Sequence, residues 1–338
     1  VQKYSGEVVV KNKERKTGRW LALSLGIAGL GGLYQARKTL YSFAIRRLAL
    51  VRRIVDEKTP AEEGLAYEEI WFKSRDGLKL HGWYIPAPDG PGKATIIMGH
   101  GHAGSKVADL HYAAFFRRGG YSVFMFDFRG HGQSDGPLGT SMGYWERYDV
   151  AGAVDWLLGR GLDRLAMFGI SMGGSIAILA AAENPHIKAV VADSPYAHLR
   201  RSIAAELNNM TGLPLWLMRP VGWWGYRVLA GHHGFDWREG HPAEVVAKLA
   251  PRPLFIIHAQ EDRLTRVENA HVLFKAARHP KELWIQPGIG HVEGYGVYGP
   301  EYERRVLEFL DKVDWQTPAP PLSPEHTLDG KLVATPLK

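Results

Sequence analysis

The stretch Ala166-Met167-Phe168-Gly169-Ile170-Ser171-Met172-Gly173-Gly174-Ser175 constrains this chain more than any other. A short apolar run ends abruptly at a glycine, and a small-residue helical pattern follows from Ser175 to Ala182. Strand, sharp turn and helix in that order lift a serine to the apex of the turn. Side chains two positions either side of it would collide with neighbouring backbone. Glycine at 169 and 173 removes that clash, and Gly174 lets the helix approach the sheet. Out of context the pentapeptide also fits a glycine-bearing helix N-terminus. The strand before it and the helix after it favour an exposed nucleophile.

The rest of the chain supplies a sheet to hold that turn. Tyr67–Lys73 and Leu78–Ile85 alternate apolar residues around Asp76-Gly77 and predict a β-hairpin. Buried-strand runs follow at Ala94–Met98, Tyr121–Phe126, Leu165–Phe168, Ala189–Ala192, Leu254–His258 and Leu283–Ile285. Helical patterns lie between them at Lys106–Arg118, Arg147–Leu158, Ser175–Glu183, Val267–Ala277 and Tyr302–Val313. Strands alternating with helices predict a mostly parallel sheet covered on both faces. The interval from Ala192 to Leu254 is too long for one crossover, so it predicts an inserted helical cap, about 197–245. Its aromatics (Trp216, Trp223, Trp224, Tyr226, Trp237) suit either an apolar substrate pocket or the cap's own core. These elements make one domain over 65–315, and the proline-rich stretch 316–338 reads as an extended tail.

The chain's net charge of +7 invites a nucleic-acid reading until it is located. The first 55 residues hold twelve lysines and arginines against two glutamates, so the remainder is slightly acidic. Basicity belongs to the N-terminal segment, 1–58, and nucleic-acid binding is not expected. Within that segment 20–36 is apolar and uncharged, short for a bilayer span but suited to an uncleaved anchor. A signal-peptide core and a buried helix are the alternatives. Leu40, Phe43, Ala44, Leu48, Val51 and Val55 then fall near one helical face, with Arg37, Lys38, Arg46 and Arg53 elsewhere. That pattern fits a helix lying on an anionic lipid surface, or one packed on the main domain with a solvated basic face. Membrane association is the expectation. Positive charge on both sides leaves the orientation open.

A serine hydroxyl needs a base to take its proton, and that base needs an orienting acid. In parallel α/β sheets functional groups gather at the carboxyl ends of strands. Leu254–His258 runs into Ala259-Gln260-Glu261-Asp262, which makes Asp262 the acid, with Glu261 as the alternative. Leu283–Ile285 leads to Gly288-Ile289-Gly290-His291, which makes His291 the base. An oxyanion needs donors. The backbone N–H of Met172 is one, and the loop Gly99-His100-Gly101-His102-Ala103-Gly104 offers the N–H of His102, or of Ala103, as the second. His100 and His102 lack further ligands placed by sequence to complete a metal site, so neither metal nor cofactor is expected. Asp127, Arg129 and His131 read as structural members of a tight loop. The absence of cysteine excludes disulfides, thiolate metal sites and a cysteine nucleophile.

The hairpin, the His100-Gly101 loop, Asp127-x-Arg129-Gly130-His131-Gly132-x-Ser134, Gly169-x-Ser171-x-Gly173, Asp262 and His291 together resemble the α/β-hydrolase superfamily. The resemblance is to bacterial serine hydrolases of the abhydrolase and prolyl-oligopeptidase-like branches, and it spans roughly Tyr67 to Asp314. It implies an eight-stranded sheet with one antiparallel strand, a triad of Ser171, His291 and Asp262, and an oxyanion hole from His102 and Met172. A serine in the nucleophile position, rather than aspartate, argues against a dehalogenase or epoxide hydrolase. The expected activity is hydrolysis of a small-molecule carboxylic ester through an acyl-enzyme, and the aromatic cap and basic N-terminal segment suggest an apolar or lipid-like acyl group. A peptidase and a catalytically silent, membrane-tethered binding module are the alternatives.

Overall fold

A β-hairpin begins the sheet. Glu68–Lys73 (β1) pairs antiparallel with Lys79–Ile85 (β2), Phe72 facing Leu80 across the ladder. The computed structural model describes residues 32, 34–55, 57–90 and 92–319. Most of the predicted anchor, and the tail from 320, lie outside them. Strands Thr95–Gly99 (β3), Ser122–Phe126 (β4), Leu165–Ile170 (β5), Ile187–Asp193 (β6), Leu254–Ala259 (β7) and Lys281–Gln286 (β8) complete an eight-stranded sheet. Its order is β1-β2-β4-β3-β5-β6-β7-β8, with β2 antiparallel to both its neighbours and β3 to β8 parallel. The expected fold class, a mostly parallel α/β-hydrolase sheet with helices on both faces, is what forms. The central strands are buried along their whole length, which is why they read as continuous apolar runs.

Helices Leu110–Arg118 (α2), Glu146–Leu158 (α3), Met172–Glu183 (α4), Glu268–Ala276 (α8) and Gly294–Asp311 (α9) flank the sheet. Two apolar clusters result, one on each face. One joins Phe72, Phe124, Ile176 and Leu254, and the other joins Phe116, Met125, Phe168 and Val306. Helix α9 starts earlier than its periodicity predicts. It is broken at Gly299, whose backbone is non-helical, before Pro300 opens the second segment.

Between β6 and β7 the chain forms the cap: Leu199–Thr211 (α5), Leu215–His233 (α6) and the short Pro242–Val245 (α7). Only part of its aromatic content enters the cap's own core. Tyr226 is buried with Leu199, Ile203, Leu229 and Phe235, whereas Trp216 and Trp223 are exposed.

The basic amphipathic segment corrects the lipid-face expectation in part. A helix over 34–48 (α1) puts Ile45 and Leu48, with Ala49 just past its end, in the cap cluster, and Ala44 is also buried. Leu40 and Phe43 of the predicted face are exposed, and Val51 and Val55 lie beyond the helix end. The face divides because Ile45 and Ala49, one position on from Ala44 and Leu48, turn the buried stripe toward the cap. Among the described residues no helix is long and apolar enough to cross a membrane.

Candidate active site

The register of the central strands sets the serine turn. Gly99 of β3 lies beside Gly169 of β5, and Ile170 lies beside Asp193 of β6. Ser171 follows at φ 55°, in the left-handed region, and its N–H donates to the carbonyl of Asp193 at 2.8 Å. A Cβ on Gly169 would overlap the backbone of Gly173, and a Cβ on Gly173 would overlap the carbonyl of Gly99. The glycine spacing in the sequence therefore has a steric cause: three backbone segments meet where a side chain has no room.

The loops after β7 and β8 bring the other two groups in. His291 Nε2 lies 2.9 Å from Ser171 Oγ, and His291 Nδ1 lies 2.6 Å from Asp262 Oδ2. Asp262 is buried and held from several sides. The backbone N–H groups of Leu264 and Thr265 donate to its Oδ1 at 2.8 and 2.9 Å, and the Thr265 hydroxyl donates to Oδ2 at 2.7 Å. Burial pushes this carboxyl up, but the bonds and charge of His291, with Thr265, outweigh that and hold it at about 2. The carboxylate is ionised and oriented, so Nδ1 carries the proton and Nε2 faces the serine as an acceptor. Glu261, the alternative acid, is exposed, and among the described residues His291 Nδ1 is bonded to Asp262 instead.

The loop after β3 passes the serine closely: a Cβ on Gly101 would stand 3.7 Å from Ser171 Cβ. Met172 opens α4, so its N–H has no helical acceptor and sits beside the nucleophile. Of the two N–H groups offered by the other loop, that of Ala103 donates to His131 Nε2 at 3.3 Å. That of His102 is bonded to no acceptor among the described residues. His102 turns its ring away, Nε2 lying 3.1 Å from the Leu48 carbonyl at the end of α1. Burial, with His131 nearby, brings this imidazole down to about 4, so it is neutral.

The other histidine of the loop, His100, is committed. His100 Nε2 accepts from the Phe128 N–H at 3.0 Å, which places the ring proton on Nδ1, where it meets the Gly101 carbonyl at 2.8 Å. Both nitrogens are thereby used, and the ring cannot serve as a metal ligand without breaking the loop. The Asp127 loop has the structural role expected of it. Asp127 pairs with Lys106 at 2.6 Å in a buried bridge, and Arg129 forks onto Asp149 and Asp76.

Some residues at the site were not singled out from the sequence. Thr265, three positions after Asp262, clasps the acid. Asp193, at the end of β6, is buried beneath the serine, its two oxygens taken by Ser194 and Tyr302. Its position just past an apolar strand is a signal that could have found it. Arg53 and the carbonyl of Ala49, in the segment after α1, bind the 134–140 loop, and no periodicity announces that contact.

Known proteins share the fold that holds this site. The family model described as serine aminopeptidase, S33, matches residues 90–248. The chain is 30% identical over 245 residues to the uncharacterized protein YqkD of Bacillus subtilis, covering 71% of this chain and 78% of that protein. It is 28% identical over 264 residues to the uncharacterized protein YfhR of Escherichia coli K12, covering 75% and 84%. Among solved structures it is similar to the esterase Pf2001 of Pyrococcus furiosus, with a TM-score of 0.67 and 29% identity, covering 79% of this chain and 98% of that one.

Proposed function

The chain belongs to the α/β-hydrolase superfamily of serine hydrolases, and we propose that it cleaves carboxylic esters through an acyl-enzyme on Ser171. The observation that carries this reading is the unbroken relay from Ser171 Oγ through His291 to Asp262, at 2.9 and 2.6 Å. Ser171 Oγ attacks the ester carbonyl while His291 Nε2 takes its proton. The N–H groups of Met172 and His102 receive the oxygen as it becomes negative. His291 then hands the proton to the departing alcohol oxygen, and Asp262 stabilises the imidazolium in between. A water molecule repeats the sequence on the acyl-enzyme and restores the serine. The similarity to an esterase supports the choice of ester.

Exposed apolar groups on the cap and on α1 support an apolar acyl substrate met near a lipid surface, with the basic N-terminal segment as the element that holds the protein there. Hydrolysis of p-nitrophenyl esters of increasing acyl length, by the wild type and by Ser171→Ala, tests the reading. Turnover that the substitution abolishes supports it. Turnover that persists in Ser171→Ala refutes it.

A second reading has its own observation. The matching family model is described as a serine aminopeptidase, and the same relay attacks amides. Turnover of aminoacyl p-nitroanilides with none of simple esters would favour that assignment.

A further inference from the structure

Four arginines line a cavity that the relay at Ser171 does not use. The cavity measures about 460 Å³ and lies between α5, α6 and the start of α8. Arg200, Arg201, Arg219 and Arg266 line it with Trp223, and Glu268 is the one carboxylate in its wall. Neither Ser171 nor His291 takes part in the lining.

Several other arginines pair with acids, as Arg75, Arg129, Arg160 and Arg304 do, or bind backbone carbonyls, as Arg53 and Arg252 do. None of the four here makes an ion pair among the described residues. Arg266 gives one guanidinium N–H to Asn208 at 2.7 Å, and its buried Nε has no acceptor. Like charges gathered in a half-enclosed space repel, and the repulsion grows as water is displaced. An anion with several oxygens relieves it, because each planar guanidinium presents a fork of donors matched to such oxygens. A single carboxylate has too few oxygens to serve four forks, whereas a phosphate can face them from several sides.

The rim adds a second requirement. Helix α6 carries Trp216 and Leu217 between the lining residues Leu215 and Arg219. Both are exposed, Trp216 at 70%, as is Leu213 before them. An exposed tryptophan beside cationic groups suits a boundary between polar heads and hydrocarbon.

We propose that this cavity binds the phosphate group of an amphiphilic phosphate ester, with the hydrocarbon lying across the exposed face of α6. The site stands independently of the reaction proposed at Ser171.

The test uses the full chain and three probes: inorganic phosphate, dihexanoyl-phosphatidylglycerol below its critical micelle concentration, and dihexanoyl-phosphatidylcholine as the zwitterionic control. Calorimetric titration should show phosphatidylglycerol binding that inorganic phosphate competes away, with phosphatidylcholine weaker. The double variant Arg201→Ala/Arg219→Ala should weaken binding at least tenfold, and Glu268→Gln, which removes the opposing charge, should tighten it. Arg37→Ala/Arg46→Ala on α1 should leave it unchanged. Basal hydrolysis of p-nitrophenyl butyrate should stay within twofold in all of them, which also certifies that they fold. Tighter binding of the lipid than of inorganic phosphate supports the amphiphilic ligand; equal binding overturns the contact of hydrocarbon with α6 and assigns the site to a soluble phosphate. Wild-type protein that binds neither probe, or binding that survives Arg201→Ala/Arg219→Ala and ignores Glu268→Gln, overturns the proposal.

Discussion

The Thr265 hydroxyl donates to Asp262 Oδ2 at 2.7 Å and stands 3.3 Å from His291 Nδ1. Two donors, the hydroxyl and the imidazole N–H, thus converge on one carboxylate oxygen, and the threonine fixes where that oxygen points. A hydrogen bond to a charged group contributes about 1.5–3 kcal/mol. Thr265→Val should therefore lower kcat roughly tenfold or more with KM nearly unchanged, and Thr265→Ser should restore most of it. Steady-state kinetics on a soluble ester checks this; an unchanged kcat in the valine variant would show that the acid needs no clasp.

The side chain of His102 points at Leu48, away from the serine, so its proposed contribution to the reaction is a backbone N–H. His102→Ala keeps that N–H and should reduce kcat by less than tenfold. Removing an oxyanion donor itself costs about a hundredfold to a thousandfold. A loss of that size in His102→Ala would mean that the ring, not the backbone, takes part.

The elbow glycines are steric requirements. A methyl group at 173 meets the Gly99 carbonyl on the neighbouring strand, which backbone cannot yield without moving β3. Gly173→Ala should lower stability by at least the roughly 1–3 kcal/mol of an overpacked core and lower activity with it. Thermal unfolding and ester hydrolysis measured on the same preparation test this, and a variant with wild-type melting temperature and rate would contradict it.

His258 lies on β7, fully buried, with Nε2 3.4 Å from Asp262 Oδ2 and no hydrogen-bond partner at either ring nitrogen. Burial, against the pull of Asp262, brings it down to about 4. Its unfolded value is near 6.5, so between those limits the unfolded chain binds the extra proton. The stability linked to this residue is fully present above about pH 6.5 and is lost as pH falls toward 4, about 3 kcal/mol in all. In His258→Leu the slope of unfolding free energy against pH across that window should shrink by about one proton, as measured by urea unfolding. An identical slope in the two proteins would mean that another group carries it.

The sheet was legible because its strands are buried on both faces and bounded by glycine, proline and charged turns; the runs at Ile96, Phe124, Met167, Val190 and Ile256 leave little choice of element. The relay residues were legible for a related reason. Strand ends are where this architecture exposes functional groups, and Ser171, Asp262 and His291 each follow one. Thr265 and the contact of Leu48 with His102 were not. They depend on where loops and a separate helix come to rest, and neither periodicity nor spacing encodes a meeting of residues 54 positions apart. The lipid-facing stripe on α1 failed in part for the same reason, since an amphipathic pattern states that a face will be covered but not by what. Here the cap covers Ile45 and Leu48.

The central claim is that Ser171 is the nucleophile, and covalent labelling tests it most directly. Incubation with a fluorophosphonate, followed by intact-mass and peptide mass spectrometry, should give one adduct per chain on the peptide containing Ser171, and none in Ser171→Ala. His291→Ala should slow the labelling by at least a hundredfold, because the base that takes the serine proton is gone. Wild-type protein that remains unlabelled, or an adduct that persists in Ser171→Ala, would contradict the account.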